Sequence, residues 1–232
     1  MIEFKDVTLK YHYDEFALLK GCSFTLKDGV NTILADVQSG KSSICKLLCK
    51  GVAATSGEIF VDGLEIGSIT NADLGILYLP SAPTFFENRS VRYNVEYALK
   101  VRKVAKSERR QRAEQIATAL GLDCLDVKVR KLDPAKRKLV ALARGLTVER
   151  KVVLFDDFFE FCDGSESTLA HVHSVLNMFG SATCVILSSD RRLAMGNTVV
   201  LDYGVTVYQG DAEGAQGVVD SLQWLCENLR SE

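Results

Sequence analysis

No apolar stretch approaches the ~18 residues that a membrane span requires. Met1 to Lys5 holds no apolar signal core, so no secretion signal is expected. A formal net charge of −2 leaves no overall positive field to gather nucleic acid. No C-x-x-C pair occurs, and the seven cysteines (Cys22, Cys45, Cys49, Cys124, Cys162, Cys184, Cys226) are scattered and odd in number. Such thiols behave as small hydrophobes, and a reducing cytosol suits them. Cys45 and Cys49 share a helix face and make at most half a metal site, so packing is the better reading. His12, His171 and His173 do not fit metal-ligand spacing, and we read them as structural. No internal repeat or low-complexity segment stands out.

What is present supports one medium domain, or a core with a subdomain: 232 residues, 47% of them hydrophobic. Residues 2–9 and 22–26 alternate apolar and polar, as half-buried strands do. Asp28-Gly29 is a hairpin turn signal leading into a strand over 30–35. Residues 57–63 form a strand that ends in a second Asp-Gly turn. Leu74 to Leu79 suits a strand buried on both faces, ending at Pro80. Helices are expected from Ser90 and over 107–120, with Gly121 as the stop. Their Lys and Arg residues lack interleaved aromatics and fit a solvated face better than a nucleic-acid patch. Asp133-Pro134 starts another helix, an Asp cap before Pro at the first helical position. Leu139, Leu142, Ala143 and Leu146 stripe it. Strands follow at 152–155 and 184–187, with a helix over 166–179 between them. A hairpin forms around Asp202-Tyr203-Gly204, and Val218, Leu222, Leu225 and Leu229 stripe a last helix.

The chemistry gathers at the end of the strand over 30–35. There the chain turns through Ser39-Gly40-Lys41-Ser42 into a helix carrying Ile44, Leu47 and Leu48 at helical spacing. A strand turning straight into a helix aims free N–H groups and the positive dipole end at one point, which suits phosphate. Gly40 permits close approach, Lys41 reaches outer phosphates, and the Ser42 hydroxyl can ligate Mg²⁺. The bland alternative is a solvated turn. Asp156 and Asp157 end an apolar strand, where Asp156 could complete Mg²⁺ coordination and Asp157 act as base toward water. Alone, the pair would be an ordinary strand-end turn. Tyr11 lies between the first two strands and could stack on a flat ring such as adenine, or be an ordinary surface tyrosine.

With both segments placed, the chain resembles the nucleotide-binding domain of ATP-binding cassette (ABC) ATPases, in order from Met1 to about Gly210. Ala35, Asp36, Val37, Gln38, Ser39, Gly40, Lys41, Ser42 and Ser43 occupy the place of the Walker A pattern G-x-x-G-x-G-K-S-T. Tyr11 falls where the family has its adenine-stacking aromatic. Gly57-Glu58-Ile59 and Val61-Asp62-Gly63 look like its G-E-I and V-D-G strand. Leu132 to Leu146 aligns with the L-S-G-G-Q signature and its helix, with Asp133, Pro134, Ala135 and Lys136 at the signature itself. Asp156-Asp157 matches the Walker B Asp-Glu, and Asp163 the D-loop aspartate. The resemblance implies ATP and Mg²⁺ as ligands, a second ABC-type subunit as partner, and a membrane-spanning subunit on which the pair docks. It implies a cytoplasmic chain, held peripherally at the inner face of the membrane when docked.

Several positions depart from the pattern. Ala35 and Gln38 replace two loop glycines, and each added Cβ restricts the backbone. Ser81 stands for the Q-loop glutamine, Asp157 for the catalytic Glu, and Ser189 for the switch histidine. Asp157 is one methylene short, and a misplacement of about 1 Å can cost ~100-fold in rate. Asp133 brings charge to a phosphate site, where two unit charges ~4 Å apart repel by about 4 kcal/mol. Pro134 removes an amide donor, and Lys136 could offset part of the charge.

The expected architecture is a P-loop-type mixed α/β core over 1–83 and 147–232, with an N-terminal antiparallel β section and a helical subdomain over 84–146. The expected function is an ATP-binding ABC subunit, weakly hydrolysing or regulatory. Two alternatives stand beside it: an active ATPase energising transport in a heterodimer, and a protein that no longer binds nucleotide.

Overall fold

The computed structural model describes residues 1–12, 15–36, 39–159 and 165–229, with backbone alone over 223–229. The chain opens with β1 (Ile2–Leu9), β2 (Leu19–Leu26), β3 (Val30–Ala35) and α1 (Lys41–Leu48). It continues through β4 (Ser56–Val61), β5 (Leu64–Glu65), α2 (Asn71–Leu74) and β6 (Ile76–Pro80). Three helices follow, α3 (Val91–Val101), α4 (Lys106–Ala119) and α5 (Pro134–Leu146). The last stretch holds β7 (Val152–Asp156), α6 (Glu166–Asn177), β8 (Thr183–Ser188), β9 (Asn197–Asp202), β10 (Val205–Gly210) and α7 (Ala212–Leu229). Two compact units divide it: Met1–Tyr78 with Lys151–Glu232, and Leu79–Arg150.

An antiparallel sheet in the order β2-β1-β4-β5 occupies the start of the first unit. Its alternating burial follows the alternating sequence, with Ile2, Phe4, Val7 and Leu9 inside and Phe4 stacked on Phe24 at 4.4 Å. A second sheet runs β10-β9-β3-β8-β7-β6, with β9, β3, β8 and β7 parallel and β10 antiparallel to β9. Its central strands are near-continuous apolar runs, as strands covered on both faces require.

Two local readings change. Asp28-Gly29 is not a hairpin turn. β2 pairs with β1, whereas β3 lies between β8 and β9, so the turn hands the chain from one sheet to the other. The burial pattern explains this. Residues Asn31 to Ala35 are all buried and need a central place, while β2 is half exposed. Asn31 closes the turn, its Oδ1 accepting from Lys27 N–H at 2.8 Å and its Nδ2 donating to Lys27 O at 2.7 Å. The run Leu74 to Leu79 is likewise not one doubly buried strand. Leu74 ends α2, Gly75 turns in the left-handed region at φ 57°, and β6 ends the sheet order with Tyr78 38% exposed.

The two other expected turns are true hairpins. Val61 pairs with Leu64 across Asp62-Gly63, and Asp202 with Val205 across Tyr203-Gly204. Both central residues of each turn have positive φ, the geometry that matches strand twist. At Gly204 a Cβ would run into the carbonyl oxygen of Leu18. The Gly204 carbonyl in turn accepts from Lys20 N–H at 2.8 Å.

The second unit packs α3, α4 and α5 around Val91, Val95, Ala113, Ala117, Val129, Val140 and Ala143. Ser90 caps α3 by accepting from Tyr93 N–H. Burial along α5 is continuous from Val140 to Ala143, rather than confined to a stripe through Leu139 and Leu146, which are only half-buried. Asp133 caps α5, its carboxylate accepting from Lys136 N–H at 2.8 Å, with Pro134 in the first turn. Asp133→Ala is expected to lower stability by about 1 kcal/mol, and Asp133→Ser by only a few tenths, since serine caps equally well. Denaturant melts of the two variants check this.

Candidate functional site

Three strand ends lie together in the second sheet. β3 ends at Ala35, β7 at Asp156 and β8 at Ser188. Leu34 pairs with Ser188, and Leu187 with Asp156, all in parallel, so the carboxyl ends are neighbours. That rim is where open α/β sheets bind ligands.

From Ala35 the chain turns into α1 through Asp36, Ser39 and Gly40; Val37 and Gln38 lie outside the described residues. Gly40 caps the helix at φ 93°, a conformation side chains resist. A Cβ there would lie 2.6 Å from Leu19 Cδ2 and 3.3 Å from Leu18 O. The N–H groups of Ser43 and Ile44 donate back to Gly40 O at 3.0 and 3.1 Å. Those of Lys41 and Ser42 belong to the first turn, which has no helical acceptor.

Lys41 is only 6% exposed. Its Nζ donates to Ala35 O at 2.7 Å and Asp36 O at 3.1 Å, and lies 4.0 Å from Asp157 Oδ2. Lys41, at the start of α1, and Asp157, just past the end of β7, therefore meet. Ser42 is exposed on the first turn, and Ser39 and Ser43 are buried. The Tyr11 hydroxyl stands 3.3 Å from Ser43 Oγ, and Lys46 Nζ lies 5.5 Å from the centroid of its ring.

Asp156 is 5% exposed. Its Oδ2 accepts from the Tyr78 hydroxyl at 2.7 Å, while Oδ1 is buried with no hydrogen-bond partner among the described residues. Burial, and then the bond to Asp156, push the Tyr78 phenol well above its ordinary range. Burial first and the Asp156 charge second raise the neighbouring Cys45 thiol strongly, so it stays neutral. Asp157 holds a left-handed φ of 46°, and its N–H donates to Leu187 O at 2.9 Å. Ser189 is exposed just past β8. The Ser188 Oγ beside it accepts from Asp190 N–H at 3.0 Å, and the Arg192 guanidinium holds the Asp190 carboxyl below the usual range.

In the second unit Ser81 is exposed directly after β6, and Asp133, Pro134, Ala135 and Lys136 form the exposed start of α5. Asp163 lies outside the described residues, as do Tyr13, Cys162 and the side chains of Leu225, Cys226 and Leu229. His171 and His173 are exposed on α6. Sequence reasoning missed Tyr78, because hydropathy counts it with the apolar run around it. Its polar tip on a strand next to β7 is the signal that could have found it.

The family model described as ABC transporter matches residues 19–160, more than half of the chain. This chain belongs to the ABC transporter family. Its mixed α/β architecture, with an antiparallel N-terminal sheet, is that of an ABC ATPase nucleotide-binding domain. It is 31% identical over 153 residues to a molybdate/tungstate import ATP-binding protein of Thermococcus kodakarensis, a match covering 65% of this chain and 46% of that protein. It is 29% identical over 153 residues to an sn-glycerol-3-phosphate import ATP-binding protein of Rhizobium johnstonii, covering 65% of this chain and 44% of the other. The matched region thus spans under half the length of these curated relatives. A bacterial Atm1-family ABC exporter with ATP bound superposes with a TM-score of 0.78 over 92% of this chain and 39% of that one, at 22% identity, which is a likeness of fold. No helix of the described residues is long and apolar enough to cross a membrane.

Proposed function

We propose that this ABC domain binds ATP with Mg²⁺ and turns it over slowly, acting beside a second ABC-type subunit and a membrane-spanning component. One observation carries the binding part: Lys41 Nζ lies 4.0 Å from Asp157, and the adjoining Asp156 keeps a buried Oδ1 with no partner among the described residues. A buried anionic oxygen without a donor is costly unless a cation or ordered water answers it. The residues present fit the expected group. Lys41 and the first amides of α1 would hold phosphates, and Ser42 and Asp156 would hold Mg²⁺. Bound Mg²⁺ supplies positive charge against the phosphate oxygens.

The slow-turnover part rests on side-chain chemistry. Asp157 is shorter than the family's glutamate, faces an ammonium and sits on a left-handed backbone. Ser189 has no imidazole to offer. At the start of α5, Asp133 spends its carboxylate, and Lys136 its N–H, on capping the helix. This supports a segment that keeps its helix and gives up a phosphate contact to the partner. Purified protein is expected to bind ATP–Mg²⁺ and release phosphate at near-background rates. Vigorous hydrolysis by this chain alone overturns the reading, and calorimetry showing no ATP–Mg²⁺ heat favours a protein that has lost nucleotide.

A second reading has Asp157 as a working base in a heterodimer that energises transport; the carboxylate's position beside Lys41 favours it. The relatives are import ATP-binding proteins, which supports a transport role without fixing substrate or direction. In that case Asp157→Asn should abolish the ATPase of a reconstituted pair.

A further inference from the structure

We propose that Tyr78 is a positioning residue for the metal, pinning the Asp156 carboxylate so that Oδ1 is the oxygen turned to Mg²⁺ or its hydration shell. The inference rests on the reading of this rim as an ATP–Mg²⁺ site. Asp156 ends β7, and β6 is the next strand in the sheet. From β6 the phenol reaches the carboxylate and donates to Oδ2 at 2.7 Å, in the range of a charge-assisted O–H···O⁻ bond. A carboxylate has two oxygens and two rotational half-turns that exchange them. One oxygen held by a hydroxyl removes that freedom. The other oxygen is then fixed in a buried place with no donor among the described residues. A cation, or an ordered water, answers such an oxygen without breaking the phenol bond. Outer partners of this kind set the orientation of a metal ligand, and their removal commonly costs 10- to 100-fold in metal affinity. Tyr78 touches neither reacting atoms nor, on this reading, the metal itself.

The test is Tyr78→Phe, which keeps the ring on its strand and deletes the hydroxyl alone. ATP binding is measured by calorimetry across a Mg²⁺ titration and again in EDTA, with thermal melts and circular dichroism for folding. The half-saturating Mg²⁺ concentration is expected to rise about 10-fold or more. ATP affinity in EDTA should stay within about twofold, because the phosphate contacts of Lys41 and α1 are untouched. In an Asp156→Asn background the same substitution should shift the Mg²⁺ requirement no further, since the charged acceptor is already gone. An unshifted Mg²⁺ requirement in Tyr78→Phe overturns this inference alone. So does a parallel loss of metal-free ATP binding, which marks a merely structural bond. Wild-type protein that binds no ATP at any Mg²⁺ concentration overturns the underlying reading as well.

Discussion

Replacing Lys41 by methionine is expected to weaken ATP–Mg²⁺ binding by about 100-fold while leaving the fold in place. The side chain is buried, with its ammonium on Ala35 O and Asp36 O and 4.0 Å from Asp157 Oδ2. Methionine keeps the length and the apolar stem and removes the charge. A hydrogen bond to a charged group contributes roughly 1.5–3 kcal/mol, and ~1.4 kcal/mol is a factor of ten in affinity. Losing the bonds from one ammonium to the outer phosphates therefore approaches two orders of magnitude. Calorimetric titration reads the affinity, and circular dichroism reads the fold. A loss under about threefold would mean that the ammonium stays on the two carbonyls and never meets phosphate.

Phe155→Ala is expected to cost about 3–5 kcal/mol, the range for emptying a fully buried aromatic site. Phe155 is 0% exposed, stacked on Phe159 at 5.0 Å, and in edge contact with Phe158 and Phe179, each at 5.8 Å. At roughly 2–4 °C per kcal/mol for a chain of this size, the thermal midpoint should fall by about 10 °C. The ring immediately precedes Asp156 on β7, so the cavity opens behind the carboxylate pair. Phe155→Met, nearer in volume and adaptable in shape, should cost much less. Equal losses for the two variants would show that the aromatic contacts, and not the volume, hold this strand.

Most of the strand and helix plan was legible because strong local signals agreed with the tertiary outcome. Asp133-Pro134 marks a helix start in isolation and is one in the structure. Val152 to Phe155 is an unbroken apolar run, and the strand is buried throughout to Asp156. Where local signals misled, a non-local pairing decided. The Asp28-Gly29 turn has hairpin chemistry, but which sheet takes β3 depends on β8 and β9, more than a hundred residues later in the chain. Leu74 to Leu79 is apolar enough for an inner strand, yet it ends the sheet order, and apolarity does not encode strand order. The rim of the site was visible as polar clusters after apolar runs, at 39–42 and 156–157, since parallel strands must place their carboxyl ends together. Tyr78 was not visible, because its contribution is one hydroxyl across a strand pair rather than a pattern along the chain.

The first residues of β2 meet two glycines from distant parts of the sequence. Gly40, at the head of α1, and Gly204, in the last hairpin, both lack the Cβ that Leu18 O would meet. One peptide group thus serves as a common floor to both turns. Any side chain forced in at Gly204 must lift that floor, and the loop resting on it rises too. On the proposed reading, grip on nucleotide is in this way tied to a hairpin that contributes no ligand of its own.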